Sequence, residues 1–234
     1  MPEDSSRNRE MLTTNEPIVP AQMIDLFNGR DLTGWTADMP ERDTDPTSPD
    51  IYTVRDGFLV GTGEAVGHLV STGIYKNYRL VVEYRLPEGG GGSVLVHVSR
   101  LRALRTKSKN IFPQSIDIKL REGDVGDIYC VIENIQVSDE SRRPREVGQV
   151  AGGAETEARH IVKLARAEHV DGNWNTFVLE ARGHNIDIWV NDVLVNSCFD
   201  CTTDNGKIAL QANPTPVEIR KVAVYPLAAS DGSE

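Results

Sequence analysis

Cysteine is scarce. Three residues in 234 are too few for a disulfide framework and leave one over in any pairing. Cys198 and Cys201 form a lone C-x-x-C with no second pair and no His-x-His partner, so they read as structural thiols rather than a zinc or redox site. Basic residues are also in short supply: 25 Lys and Arg against 35 Asp and Glu give a net charge of -10, which repels a phosphate backbone and an anionic bilayer and argues against nucleic acid or membrane as partner. No apolar run is long enough to span a membrane, and Met1 to Gln22 holds no signal-peptide core. As given, the chain reads as cytoplasmic, or as periplasmic or secreted if an export signal was trimmed. Internal repeats and amphipathic helical stretches are missing too, apart from about a turn near Glu155 to His160. The Gly run from Glu88 to Ser93 lacks the Lys-Ser/Thr and the helix that a phosphate loop needs.

What is present is an ordinary globular composition, 39% hydrophobic and 26% charged, punctuated by 20 Gly and 12 Pro, as expected of a folded chain with many turns. From Ile51 onward, short β-branched and aromatic runs alternate with Gly, Asn and Asp. Asp56-Gly57 and Asn191-Asp192 are tight-turn signals between such runs. About a dozen strands predict an all-β fold, a two-sheet antiparallel jelly-roll sandwich of the concanavalin A-like lectin and glucanase type. We expect one domain over residues 23–228, a tail over 1–22 and a short tail over 229–234. Residues 36 to 50 read as a Pro-bearing loop. Arg100 to Asn110 reads as a basic loop, either simply solvated or a lid over a hydroxyl-rich or anionic ligand.

Strand parity suggests where chemistry sits, because side chains alternate faces with period two. Glu83 and Arg85 oppose Val82 and Tyr84; Ser93, Leu95 and His97 oppose three valines; Asp117 and Lys119 oppose three aliphatics. If these strands are neighbours, Glu83, Arg85, His97, Asp117 and Lys119 converge on one polar patch. Such a patch combines acid, base and oxyanion-stabilising groups. The bland alternative is a solvated outer face. Glu122 to Asp127 imitates the acid cluster of some sandwich-fold glycosidases, but its two glycines suit a β-turn better.

Several stretches together resemble the 3-keto-glycoside (3-keto-disaccharide) hydrolase family. They are Leu26 to Trp35 (Leu-Phe-Asn-Gly-Arg-Asp-Leu-Thr-Gly-Trp), Asp56 to Leu59, Leu69 to Thr72, Tyr75 to Leu80, Glu83 to Arg85, Phe112 to Asp117, Gly123 to Tyr129, Gly172 to Asn175, Val190 to Asp192, Gly206 to Gln211 and Glu218 to Arg220. The likeness covers about residues 23 to 227. It adds Gln211 and Arg220 to the functional face and implies a concanavalin-like fold. The chain departs from the family pattern at Gly91-Gly92-Ser93, where Asn-Ser-Gly is usual, at Asp117 (Glu), Lys119 (Gln) and Asn213 (Glu). Such changes either retune the substrate or mark loss of activity.

The resemblance implies cleavage of sugars oxidised at C3. The ketone acidifies the C2 hydrogen, so a base can form an enediolate and expel the C1 substituent, with water adding afterwards. On this reading His97 or Asp117 takes the proton, Arg85 or Lys119 stabilises the oxyanion, and Glu83 orients a cation. Trp35 either stacks on a sugar face or belongs to the core. A divalent metal would polarise the ketone, with His97, Glu83 and Asp117 as conceivable ligands. The expected partner is a carbohydrate, an oxidised glycoside; nothing specifies an oligomer. The competing expectations are a non-catalytic carbohydrate-binding module and an interaction domain with a decayed site.

Overall fold

The computed structural model describes residues 16–105, 111–144, 160–170 and 172–228. Of the helical turn expected near Glu155 to His160, His160 is strand and residues 155–159 lie outside the described residues, as do Lys107 and Lys109 of the basic segment and the chain before Glu16 and after Ala228. Among the described residues the strands build two eight-stranded sheets. One runs in the order β14 (Val193–Cys198), β13 (Asn185–Val190), β12 (Asn175–Arg182), β7 (Tyr78–Arg85), β16 (Val217–Pro226), β4 (Phe58–Gly61) and β3 (Tyr52–Arg55), with β1 (Ile24–Asp25) also on β16. The other runs β11 (His160–Ile161), β10 (Ile128–Val131), β9 (Ile111–Lys119), β8 (Gly92–Arg105), β15 (Asn205–Ala212), β5 (Gly67–Ser71) and β2 (Trp35–Asp38), with β6 (Tyr75–Lys76) also on β15. Every strand pairing is antiparallel. The expected two-sheet sandwich is therefore found. No helix among the described residues is long and apolar enough to cross a membrane.

Local chemistry accounts for the hairpins. Asp56 and Gly57 have φ of 54° and 80°, and Asn191 and Asp192 have 48° and 66°. Two successive left-handed residues give the turn whose twist matches the flanking strands, here β3–β4 and β13–β14. Between the sheets, Leu80, Val82 and Tyr84 of β7 are fully buried, as are Val94, Val96, Ile116, Ile118, Ile208 and Leu210 of the other sheet. Burying each such side chain is worth about 1.5–3 kcal/mol, so the core fixes the register of both sheets. Cys130, Cys198 and Cys201 are free and buried. A hydrogen bond to Cys201 and burial push the Cys198 thiol up, as suits structural thiols.

The two sheets differ on their outward faces. On the β7 sheet that face is wet, with Glu83 and Arg85 partly exposed. On the β8 sheet it is covered: Val70, Leu95, Val98 and Ala209 form a second, separate buried apolar cluster. The cover comes from β8 and β9 themselves, whose pairing shifts register twice and continues to Leu104 opposite Phe112. Arg100 to Arg105, expected as loop, is thus strand. Asp38 ends β2, and a short 3-10 turn, Pro40–Asp43, begins what was expected as an uninterrupted loop.

One irregularity decides which side chains share a face. Lys207 of β15 pairs with Val98 and Ala209 pairs with Leu95, so Val96 and His97 together oppose Ile208 alone. This is a β-bulge, with His97 at φ 54°. An extra residue reverses parity beyond it: Val98 joins Leu95 on the outward face, and His97 is left on the inner side. Its backbone packs so closely against Gly206 that a Cβ there would lie 2.3 Å from the His97 carbonyl carbon. Only glycine fits at that crossing.

Candidate functional site

The outward face of the β8 sheet carries a polar row. Asp38 pairs with His68, His68 with Gln211, Gln211 with Ser93, and Ser93 with Lys119. Five adjacent strands thus set five polar side chains in line, spanning about 19 Å at ordinary strand spacing. The parallel row two residues along contains Val70, Ala209, Leu95, Asp117, Tyr129 and His160. Its aliphatic half is the buried cluster described above. A buried apolar patch therefore lies beside hydrogen-bonding groups on this face, the combination of surfaces found in sites for sugar rings.

Lys119 Nζ lies 2.7 Å from Asp117 Oδ2 and donates to Ser93 Oγ at 3.3 Å; Ser93 Oγ donates to Gln211 Oε1 at 3.1 Å. Asp117 Oδ1, Asp38 Oδ2 and both ring nitrogens of His68 are buried without a hydrogen-bond partner among the described residues. Leaving such a group unpaired costs about 1–3 kcal/mol, and four such atoms lie on this one face. His68 is held neutral: burial lowers its pKa from 6.5 to about 4, although the nearby Asp117 and Asp38 carboxylates pull it upward.

The two ends of the row are unlike. At the β2 end, Arg102 Nε donates to Asp38 Oδ1 at 2.7 Å and its guanidinium also pairs with Asp43. Phe112 meets His68 edge-on, 6.0 Å between centroids. The extended β8–β9 hairpin therefore closes over this end, and Arg102 is a latch within the protein rather than a free ligand group. The β10 end is more open. Lys119 Nζ lies 5.0 Å from the centroid of the Tyr129 ring, and Tyr129 stacks on His160 at 4.2 Å with 6° between planes. His160 Nε2 is 2.8 Å from Asp127 Oδ2. Burial raises the Asp127 carboxyl, but hydrogen bonds from His160 and the Lys163 backbone, with the Lys163 charge, outweigh it and hold the group low.

The convergence expected from strand parity is only partly realised. Asp117, Lys119 and Gln211 share the β8-sheet face. Glu83 and Arg85 do not, because β7 lies in the opposite sheet. There Arg220 Nε donates to Glu83 Oε2 at 2.5 Å and Arg85 Nε to Glu218 Oε2 at 2.6 Å, while Trp174 lies 4.4 Å and 5.0 Å from the two guanidinium carbons. Arg220 belongs with them and leaves the site too. His97 is displaced by the bulge: its ring is fully buried beside the Thr203 backbone, Asp204 and His184, and burial lowers its pKa to about 4. Trp35 is a core residue whose Nε1 donates to the Leu26 carbonyl at 2.6 Å, not a stacking platform. His97, Glu83 and Asp117, named above as metal ligands, are thereby divided among three environments. Among the described residues no three His, Cys, Asp or Glu side chains come together as a cation set, so the arrangement does not fit a metal. Glu122 to Asp127 is a turn, with Gly123 and Gly126 at φ 87° and 92°.

Sequence reasoning missed His68, Asp38 and Tyr129. His68 stands in Gly-His-Leu-Val-Ser, a strand buried at every position, so no alternation marks its face. Tyr129 had a signal, since it shares parity with Asp127 in the run from Asp127 to Glu133. A separate cavity of about 550 Å³, lined by Leu86, Glu88, Glu122, Glu168, His169 and their neighbours, includes no residue of the polar row.

Comparison with known proteins follows the same fold. The family of 3-keto-alpha-glucoside-1,2-lyase-like domains matches residues 22–225. A crystal structure from Parabacteroides distasonis, provisionally described as a glycosyl hydrolase, superposes with a TM-score of 0.61 at 19% identity, over 88% of this chain and 94% of that one. A native glycosidic hydrolase gives 0.54 at 14% identity, over 92% and 99%. A Bacillus licheniformis β-glucanase gives 0.50 at 11%, over 87% and 97%. At these identities the likeness is one of fold. A search of curated proteins finds no match.

Proposed function

The chain belongs to the 3-keto-alpha-glucoside-1,2-lyase-like family, and on that premise we propose that it cleaves glycosides already oxidised at C3, with the β8-sheet face as its active site. The observation that carries this reading is the set of unpaired buried atoms on Asp38, His68 and Asp117 beside the apolar floor of Val70, Leu95, Val98 and Ala209.

Asp117 is the base. One of its oxygens is engaged by Lys119 while Oδ1 keeps its lone pairs for the C2 proton. Lys119 supplies the cation for the oxygen that gains charge as the C2 electrons delocalise into the C3 carbonyl. Neutral His68, next to Asp38 in register, presents an imidazole able to donate to one sugar oxygen and accept from another hydroxyl. Once the enediolate forms, its electrons return to C2 and the C1–O bond breaks. Water then adds at C1 to give the free 3-keto sugar. Closure of the β2 end by Arg102 and Phe112 favours a terminal sugar, its aglycone leaving toward β10.

Incubation with a 3-keto-glucoside is expected to release the aglycone, while the unoxidised glucoside remains intact because its C2 hydrogen is not acidic. Arg85→Ala is expected to leave kcat/KM within about threefold, as an ion pair on the opposite sheet contributes only up to about 1 kcal/mol to stability. Turnover of the unoxidised glucoside, or loss of activity in the Arg85 variant, would count against this assignment. Sugar binding without turnover would favour a binding module.

A further inference from the structure

Elimination from C1 has a second requirement: the departing glycosidic oxygen needs a proton. Asp117 accepts one, Lys119 is committed to charge stabilisation, and the closed β2 end lies away from the aglycone. At the open end, Tyr129 sits directly opposite Asp117 in the β9–β10 register. Its ring is fixed between the stacked His160 imidazole and the Lys119 ammonium, and His160 is itself held by Asp127. These two contacts on the ring constrain its position.

We propose that Tyr129 is the catalytic acid that protonates the leaving oxygen. This rests on the reading of Asp117 as base. After Asp117 has removed the C2 proton, the enediolate electrons return to form the C1=C2 bond, the C1–O bond breaks, and its electrons go to the glycosidic oxygen, which takes the phenolic proton. The water that subsequently adds gives its hydroxyl to C1 and its proton to the phenolate, while the protonated Asp117 carboxyl protonates C2, so both groups are reset and nothing is oxidised or reduced. Burial and the neighbouring carboxylates of Asp127, Asp124 and Asp117 raise the phenol above its usual range, which keeps it protonated before each turnover.

The test is the response of Tyr129→Phe to the leaving group. With a methyl or glucosyl 3-keto-glucoside, kcat/KM is expected to fall about 10²- to 10³-fold, the usual contribution of a general acid. With the 4-nitrophenyl 3-keto-glucoside, whose phenolate departs unaided, the loss is expected to stay within about threefold, which also shows that the variant is folded. Equal losses on both substrates would assign Tyr129 a positioning role and overturn the proposal, as would no loss on either. Asp117→Asn separates the two levels. Loss on both substrates keeps the base reading whatever Tyr129 does, whereas full activity in Asp117→Asn, or a wild type inert toward both, removes the premise itself.

Discussion

Asp117→Asn is expected to lower kcat/KM on a 3-keto-glucoside by about 10³-fold, within the range for removing a positioned base, while sugar binding persists. Asn keeps the shape and one oxygen of the side chain, so the apolar floor and the row from Asp38 to Lys119 stay in place. What it lacks is the basicity to take a carbon-bound proton. Because Asp117 has only 1% of its surface exposed, water cannot readily substitute at that position. Lys119, deprived of its 2.7 Å partner, retains Ser93. The variant should therefore show steady-state kinetics with a depressed kcat and a KM changed by no more than a few-fold. Retained turnover would remove Asp117 from the chemistry.

Mild acid is expected to destabilise the fold well above the pH at which carboxylates titrate. His68 and His97 are both held at about 4, against 6.5 in the unfolded chain, chiefly by burial. The sign follows from linkage: the unfolded state binds the proton more tightly, so neither histidine imposes a penalty well above pH 6.5. The penalty grows as pH falls toward 4 and then levels off. At pH 5 each costs about 2 kcal/mol and below pH 4 about 3 kcal/mol. Asp127 and Glu168, whose folded pKa values lie low, stabilise the protein above their unfolded pKa and add their loss only below about pH 4 to 5. Urea unfolding should thus show about 4 kcal/mol less stability at pH 5 than at pH 7. A flat profile over that interval would contradict the burial of these two imidazoles as neutral groups.

The fold was more legible than the site. Alternation in β7, β8 and β9 correctly segregates Val82, Val94, Val96, Ile116 and Ile118 toward the core, and the Asp-Gly and Asn-Asp turns locate two hairpins, because these are local rules. Parity within a strand, however, does not say which sheet the strand joins. Glu83 and Arg85 obey their own alternation and still face away from Asp117, since β7 pairs with β12 and β16. His97 fails for a different reason: one extra residue opposite Ile208 reverses the face, and no composition signal announces that bulge. The family likeness named Gln211 and Arg220 together, yet Gln211 lies in the row between His68 and Ser93, whereas Arg220 is bound to Glu83 on the opposite sheet. His68 was hidden by a strand buried on both faces.

If the C2 proton moves to Asp117 before the C1–O bond breaks, any exchange of that carboxyl with solvent before the proton returns leaves solvent hydrogen at C2 of the product, and cleavage is slowed when C2 carries deuterium. The direct measurement is to run the reaction in D₂O and read deuterium at C2 of the released 3-keto sugar by NMR, against substrate and product held in the same solvent without protein. Deuterium at C2 formed in step with aglycone release is the expected result. Product that keeps its original C2 hydrogen, together with aglycone release that is not slowed by deuterium at C2 of the substrate, would mean direct displacement at C1 and would contradict the role assigned to Asp117.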